Sequence, residues 1–455
     1  MLNISNRKHR FFNNPVQTIC LSFFAIIIFG SMLLFLPIST STGEMPSYLD
    51  CLFTATSTTC ITGLTIADTY GYWSTFGKCV ILCLVQVGGL GLVTFSSVFA
   101  LSINKKLGLK NMKLATAQIN INDFSEIQSL FVNIIKVTFI CESIGALILC
   151  VPFCTKFGFY GIAMSVFTSI CAYCNAGFDI NGFLYPYCSM VPFRDDPIII
   201  IVVGLLIILG GLGFAVVNEL FKMRKMNKKI RLLSFHSKLV LVSSIALILI
   251  GTITILITEW SNTLEGMSFF EKLGISAFSS ITTRTAGFNV IDHGQTSIFT
   301  KLFTCLLMFI GACPGGTGGG IKITTAIVLF MTIICVVKRR EDTIIFGRRV
   351  AKNTVYKSIS LIFIASTLII FSTTVMWFFE SCINLIDLLF TTISAFSNTG
   401  LYTTEIAPLS CVSKIILIIL MYIGRVGPLS FALMFGSKLD SKNHVSLPEG
   451  KIYVG

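Results

Sequence analysis

Long apolar runs broken by short polar connections make up most of the chain. Runs at about 16–37, 127–152, 237–258 and 355–379 match the roughly 20 residues a helix needs to cross about 30 Å of hydrocarbon. They are continuous rather than alternating, which excludes the pattern of a membrane β-barrel. After each comes a shorter apolar segment, at about 47–59, 161–173, 268–281 and 385–396. Segments this short read as re-entrant helices. A second long apolar stretch then follows, at about 75–101, 197–220, 299–337 and 412–435. The pattern predicts an all-α polytopic membrane protein with eight spanning and four re-entrant helices.

The four units share more than hydropathy. "TTCITGLT", "AYCNAGFD", "TTRTAGFN" and "AFSNTGLY" each follow a short segment, and place a small residue before glycine and an apolar residue after it. The glycines are Gly63, Gly177, Gly287 and Gly400, at near-regular intervals. Irregular backbone within a membrane is tolerated only where it is buried in protein or lines a water-filled path. Four such loops can surround one axis, with rings of carbonyls replacing the water shell of a cation. The expected ring residues are Ile61, Thr62 and Gly63; Asn175, Ala176 and Gly177; Thr285, Ala286 and Gly287; and Asn398, Thr399 and Gly400.

The third of the second stretches is too long for one straight span and contains "GACPGGTGGGIK". Six glycines and a proline are poor helix material, so a break is predicted at 311–322. The candidate gate residues of this loop are Gly311, Ala312, Cys313, Pro314, Gly315, Gly316, Thr317, Gly318, Gly319, Gly320 and Lys322. It is not a phosphate-binding loop: Ile321 separates Gly320 from Lys322, and apolar helices flank it where a strand is needed. Only this second stretch is expected to have a major break. A loop lining the ion path below the ring is a candidate gate. "VGGLGL" at 87–92 and "LGGLGF" at 209–214 allow close helix contact or bending.

Charge sets the orientation. Of the residues, 12% are charged, about half the usual share in soluble proteins, and the net charge is +13. Basic residues cluster at Arg7 to Arg10, Lys105 to Lys113, Lys222 to Arg231 and Lys338 to Lys352, all between units or at an end. The positive-inside rule makes that side cytoplasmic. This accounts for the charge without a nucleic-acid partner. The expected layout is a cytoplasmic amino end (1–15), units at 16–113, 114–231, 232–352 and 353–436, and a cytoplasmic tail (437–455). Asp68, Asp179 and Glu405 follow their glycines; they are either an outer mouth that concentrates cations or solvated loop charge. Arg284 reads as an anchor for the third loop. Arg425, inside the last span, is a gate charge or one half of a structural pair, with Glu142 as a candidate partner. The 16 cysteines, "CAYC" included, read as small apolar packing. The histidines lie outside the expected spans, and no catalytic constellation falls within them, so an enzyme is not expected.

"TTCITGL", "NAGFD", "TTRTAGFN" and "SNTGL", with "GGLG" after the first loop, resemble the Trk/Ktr/HKT superfamily of potassium transporters over roughly 30–435. Only about 15 residues precede the first unit, so the chain looks most like a Ktr membrane subunit. The resemblance implies K+ as the transported ion, with Na+ as an open coupling or activating ion. Sodium-selective relatives tend to carry serine at the first of these glycines, so Gly63 implies potassium selectivity. The resemblance also implies a role for Arg425 as a barrier or latch, and a homodimer with one pore per chain in the plasma membrane. It implies a cytosolic ring of nucleotide-binding (RCK-type) regulatory domains as partner, docked on the basic connections. A secondary cation carrier with a midplane site at broken helices is the alternative.

Overall fold

A computed structural model of the chain describes residues 15–91, 127–225, 233–428 and 431. The expected tail at 437–455, most of the amino end and the basic clusters at 7–10 and 105–113 lie outside the described residues. The stretch expected to form the first unit holds α1 (Pro15–Leu34), α2 (Tyr48–Cys60), the short α3 (Thr69–Tyr72) and α4 (Thr75–Leu90). The second holds α5 (Ile127–Phe157), α6 (Tyr160–Cys174), α7 (Pro197–Gly211) and α8 (Phe214–Lys225). The third holds α9 (Phe235–Thr258), α10 (Phe269–Thr282), α11 (Ile298–Phe309) and α12 (Ile323–Val337). A hairpin of β1 (Ile344–Ile345) and β2 (Arg348–Arg349) leads to α13 (Lys352–Phe379), α14 (Leu385–Ser397) and α15 (Cys411–Val426).

Gln17–Leu34, Val132–Phe157, Phe235–Thr258 and Lys352–Phe379 are each long and apolar enough to cross a bilayer. Their outward faces are apolar: Leu147 is 71% exposed, Ile257 68% and Phe363 72%. Large exposed apolar surface of this kind is stable only against lipid or another apolar partner. The short helices α2, α6, α10 and α14 are buried among the others along much of their length.

Only the third second-stretch was expected to be broken, and this is corrected. The break at Gly311–Lys322 is present, between α11 and α12. The stretch at 197–220 is also broken, with α7 and α8 bent by 103°. Gly213 at φ 89° makes the corner. In the same way α4 stops before Gly91 (φ 76°) and α15 before Gly427 (φ 94°). A left-handed residue ends an α-helix, and glycine takes that conformation without a Cβ penalty.

Ion pairs join some neighbouring units. Lys301 in the first turn of α11 bonds Asp387 in the first turn of α14 at 2.8 Å, with both side chains largely buried. Lys414 of α15 reaches Asp50 of α2 at 3.3 Å, which links the last unit to the first. The corresponding lysine of α4, Lys78, lies 4.3 Å from the ring of Tyr70. The residue of α6 that matches Asp50 and Asp387 in distance from the closing left-handed residue is Met164, which offers no acid. Removing one partner of a buried pair leaves a stranded charge, at about 3–5 kcal/mol. Asp387→Ala is therefore expected to lower the thermal unfolding temperature sharply in detergent. The pair Asp387→Leu with Lys301→Met should recover most of the loss. If Asp387→Ala unfolds at the wild-type temperature, the pair contributes nothing.

Candidate functional site

The site begins where the four short helices end. The last turn of α2 closes with Ile61 N–H on Thr58 O (3.2 Å) and Thr62 N–H on Ser57 O (2.7 Å). The same two bonds recur in α6, from Asn175 to Ala172 and Ala176 to Cys171, and in α14, from Asn398 to Ala395 and Thr399 to Ser394. This is the Schellman closure, with a left-handed residue after the helix. That residue is Ile61 (φ 60°), Asn175 (φ 59°) or Asn398 (φ 56°). The third unit reaches the same place differently. Thr283 stays right-handed, Ala286 N–H bonds Thr282 O, and Thr285 takes φ 68°. The side chain of Arg284 turns away to Ser244, at 3.4 Å from its carbonyl and 3.2 Å from its hydroxyl, as expected of an anchor.

Two residues after each left-handed position, the glycine is left-handed too: Gly63 at φ 88°, Gly177 at 67°, Gly287 at 77° and Gly400 at 87°. Thr62, Ala176, Ala286 and Thr399 lie between them, fully buried. Alternating the hand of successive residues undoes the half-turn that sends neighbouring carbonyls to opposite sides of an extended chain. The four loops meet in a closed cycle. A Cβ on Gly63 would sit 2.6 Å from Ala176 O, one on Gly177 2.9 Å from Ala286 O, and one on Gly287 2.6 Å from Thr399 O. A Cβ on Gly400 would strike Thr62 O, which closes the cycle. Asn398 Nδ2 ties the same seam by donating to Thr62 Oγ1 at 2.8 Å and Met421 O at 3.0 Å. Four helix C-termini thus converge on one ring, each carrying about half a negative charge, a setting that favours a cation.

On one side of the ring, Asp68 and Asp179 line a narrow cavity with Gly63, Gly177, Gly287, Tyr187 and Tyr402. Asp68 has structural work as well: its carboxylate caps α3 through Gly71 N–H (2.8 Å) and accepts from Tyr187 N–H (3.2 Å). Asp179 accepts from Asn181 N–H at 3.0 Å. Burial, with Asp68 nearby, pushes its carboxyl up to about 6. Glu405 is farther out, on a wider cavity of about 480 Å³ that shares Tyr187 and Tyr402 with the first.

On the other side lies the loop of Gly311 to Lys322. Gly318 packs against Thr285, Gly319 against Asn398, and Gly320 against Ser397. The bend between α7 and α8 frees backbone groups that a continuous helix would satisfy, and the loop bonds them. Cys313 N–H donates to Gly211 O and Thr317 N–H to Gly210 O, both at 3.2 Å; Phe214 N–H donates to Gly315 O at 3.0 Å. Lys322 Nζ holds Gly318 O at 2.7 Å. Arg425 donates from its two terminal nitrogens to Thr317 O and Gly88 O. Glu142 is not its partner: that carboxylate accepts from Gln86 Nε2 at 3.2 Å and from the Cys174 thiol. Sequence reasoning missed Gly88 as a contact of Arg425 and the Gly210–Gly213 corner as a contact of the loop, although "VGGLGL" and "LGGLGF" marked both places. Among the described residues, no group of His, Cys, Asp or Glu is arranged to hold a metal ion.

A helical, lipid-faced chain with a backbone ring buried at its centre is a multi-pass membrane protein built for transport. The chain belongs to the TrkH family of cation transport proteins, whose profile matches residues 6–447. This is a family of transporters, not enzymes. The chain is 35% identical over 448 residues to Ktr system potassium uptake protein B of Bacillus subtilis, covering 97% of both proteins. It is 33% identical over 461 residues to potassium/sodium uptake protein NtpJ of Enterococcus hirae, covering 100% of both. The crystal structure of the potassium transporter TrkH from Vibrio parahaemolyticus shares the fold. Its TM-score is 0.72 at 16% identity, over 93% of this chain and 85% of that one.

Proposed function

We propose that the chain takes up potassium across the plasma membrane through one pore framed by its four units. The observation that carries this reading is the closed cycle of Gly63, Gly177, Gly287 and Gly400, each backed against the next loop's carbonyl. In this reading the residues at 61–63, 175–177, 285–287 and 398–400 are a selectivity filter whose carbonyls replace the hydration shell of K+. The units run at 16–113, 114–231, 232–352 and 353–436, with both ends of the chain cytoplasmic. Asp68, Asp179 and Glu405 form an outer mouth that raises the local cation concentration.

The loop at 311–322 is the gate. It lies under the filter loops, and Lys322 and Arg425 place two positive charges beside it, an electrostatic barrier as well as a latch. Opening requires Thr317 O to leave Arg425. The work for this comes from a cytosolic ring of nucleotide-binding regulatory subunits docked on the basic connections of a homodimer. The names of two relatives, proteins B and D of a Ktr system, support a multi-component assembly. The name of the Enterococcus relative supports Na+ as a second ion.

The 103° bend in the second unit favours one other reading, a secondary carrier working at two broken helices. Rubidium flux into liposomes, competed by potassium and sodium with and without a regulatory subunit, separates the two. A pore passes rubidium down its gradient whatever the trans side holds. A carrier is accelerated by trans potassium, and that result would overturn the pore.

Asp179 gives the flux a pH dependence. With its carboxyl raised to about 6, it is charged at pH 7.5 and protonated at pH 5. Subsaturating rubidium influx is expected to fall about two- to fivefold as external pH drops through this window, because one mouth charge is lost. Asp179→Asn should flatten the profile at its low value. A profile unchanged by the substitution removes Asp179 from the mouth.

A further inference from the structure

The connection between α12 and α13 does not hang free of the helices. After Val337 the chain turns at Arg339 (φ 54°) and forms the hairpin, with Ile344 opposite Arg349 and Ile345 opposite Arg348. Phe346 (φ 47°) and Gly347 (φ 73°) are its two left-handed turn residues. Glycine suits such a turn; phenylalanine does not, since its Cβ is strained there. The ring at the tip therefore needs another reason.

Its position supplies one. Ile345 is 3% exposed and belongs to a small buried cluster with Val328 of α12 and Leu239 of α9. Val328 lies nine residues before the end of α12, about 13 Å along its axis at 1.5 Å per residue. The hairpin is thus folded back along two helices of the third unit. Phe346 itself is 57% exposed, and its ring lies 6.5 Å from that of Phe235, the first residue of α9. Phe330, Ile333 and Val337, on the side of α12 away from Val328, are apolar and exposed as well.

The same connection carries Lys338, Arg339, Arg340, Arg348, Arg349 and Lys352 against only Glu341 and Asp342. Arg349 neutralises Asp342 at 3.0 Å, and the Arg348 guanidinium lies 5.7 Å from the Phe235 ring. Between the last turn of α12, the hairpin and the first turn of α13 is a cavity of about 180 Å³. Arg340, Lys352, Thr332, Thr343 and Tyr356 line it, together with the two acids.

We infer that this hairpin is an anionic-phospholipid site, which leaves the other basic connections to the regulatory ring. Phe346 lies among the acyl chains of the leaflet on the basic side, and the arginines and lysines around it hold phosphate head groups, one of them in the cavity. Basic clusters directly after a membrane helix attract anionic lipid, and an aromatic at the same level anchors in the interface. Charge alone would suit an acidic protein surface as well. The apolar tip, exposed beside Phe235 at the end of a membrane-length helix, selects lipid.

Phe346→Trp in liposomes of phosphatidylcholine with and without phosphatidylglycerol reads the tip directly. The emission added to that of Trp73, Trp260 and Trp377 is expected to be blue-shifted. Brominated acyl chains should quench it about twofold, and iodide should leave it unchanged. Native mass spectrometry should show the wild-type chain retaining phosphatidylglycerol over phosphatidylcholine, and Arg340→Gln with Arg348→Gln losing that preference. An emission quenched by iodide and untouched by brominated lipid overturns the inference. Shielding that develops only on addition of a soluble protein also overturns it, and assigns the surface to that partner. Equal retention of the two lipids by the wild type overturns the head-group site. None of these readouts depends on which ion the chain carries.

Discussion

Serine in place of Gly63 lowers the preference for rubidium over sodium by about tenfold or more, measured as the ratio of initial influx rates in liposomes. The physical case has two parts. At φ 88° a side chain costs about 1–2 kcal/mol in backbone strain. The new Cβ would also sit 2.6 Å from Ala176 O, well inside normal contact, so the ring must open there. A filter that discriminates by the fit and number of its carbonyls loses selectivity when one of them moves. A shift of 1.4 kcal/mol in the relative binding of two ions is already about tenfold. Gly43 provides the control, because it is left-handed at φ 74° but has nothing within 4 Å of its would-be Cβ. Gly43→Ser carries the backbone strain without the ring contact, and selectivity should survive it. If Gly63→Ser and the wild type give the same rubidium-to-sodium ratio, 61–63 is not part of the filter.

Arg425→Gln is expected to raise rubidium influx about tenfold in the absence of any regulatory subunit. The guanidinium joins three parts of the molecule: the end of α15, Thr317 in the loop and Gly88 in α4. Hydrogen bonds from a charged donor contribute about 1.5–3 kcal/mol each. Losing even the weaker of the two shifts a closed-to-open balance by about tenfold. Deleting Gly318, Gly319 and Gly320 tests the proposed gate without removing a charge, since these residues pack under Thr285, Asn398 and Ser397. Both variants should leak. If neither changes the basal rate while both fold, as judged by the unfolding temperature, the loop is not a gate.

Much of this arrangement is visible in the amino-acid order. Hydropathy locates α1, α5, α9 and α13, and the glycine spacing locates the ends of the four short helices. The loop of Gly311 to Lys322 stands out because so much glycine and a proline interrupt an apolar run. Other features are hidden for physical reasons. Ile61 is β-branched, which opposes a left-handed φ, and only the Schellman closure and the neighbouring loops hold it there. The corner at Gly213 is invisible to hydropathy because the residues immediately flanking it, Leu212 and Phe214 to Val217, continue the apolar run. Its cause is the docking of the loop a hundred residues later. Glu142 and Gln86 lie in different units, 56 residues apart, and nothing local to either predicts their pairing.

The seam between the last unit and the first has a consequence for synthesis. Gly400 backs onto Thr62, Asn398 bonds Thr62, Lys414 pairs with Asp50, Tyr422 bonds Cys20 O at 2.8 Å, and Arg425 reaches Gly88. Each of these joins a residue made early to one made among the last. During translation, which supplies the amino end first, Asp50 and the carbonyls around Thr62 wait in the bilayer without their partners. The ring is therefore completed only when the final helices insert. A ribosome that stops before α15 leaves an open, polar-edged bundle for quality control to find, and the cell obtains either a closed ring or none.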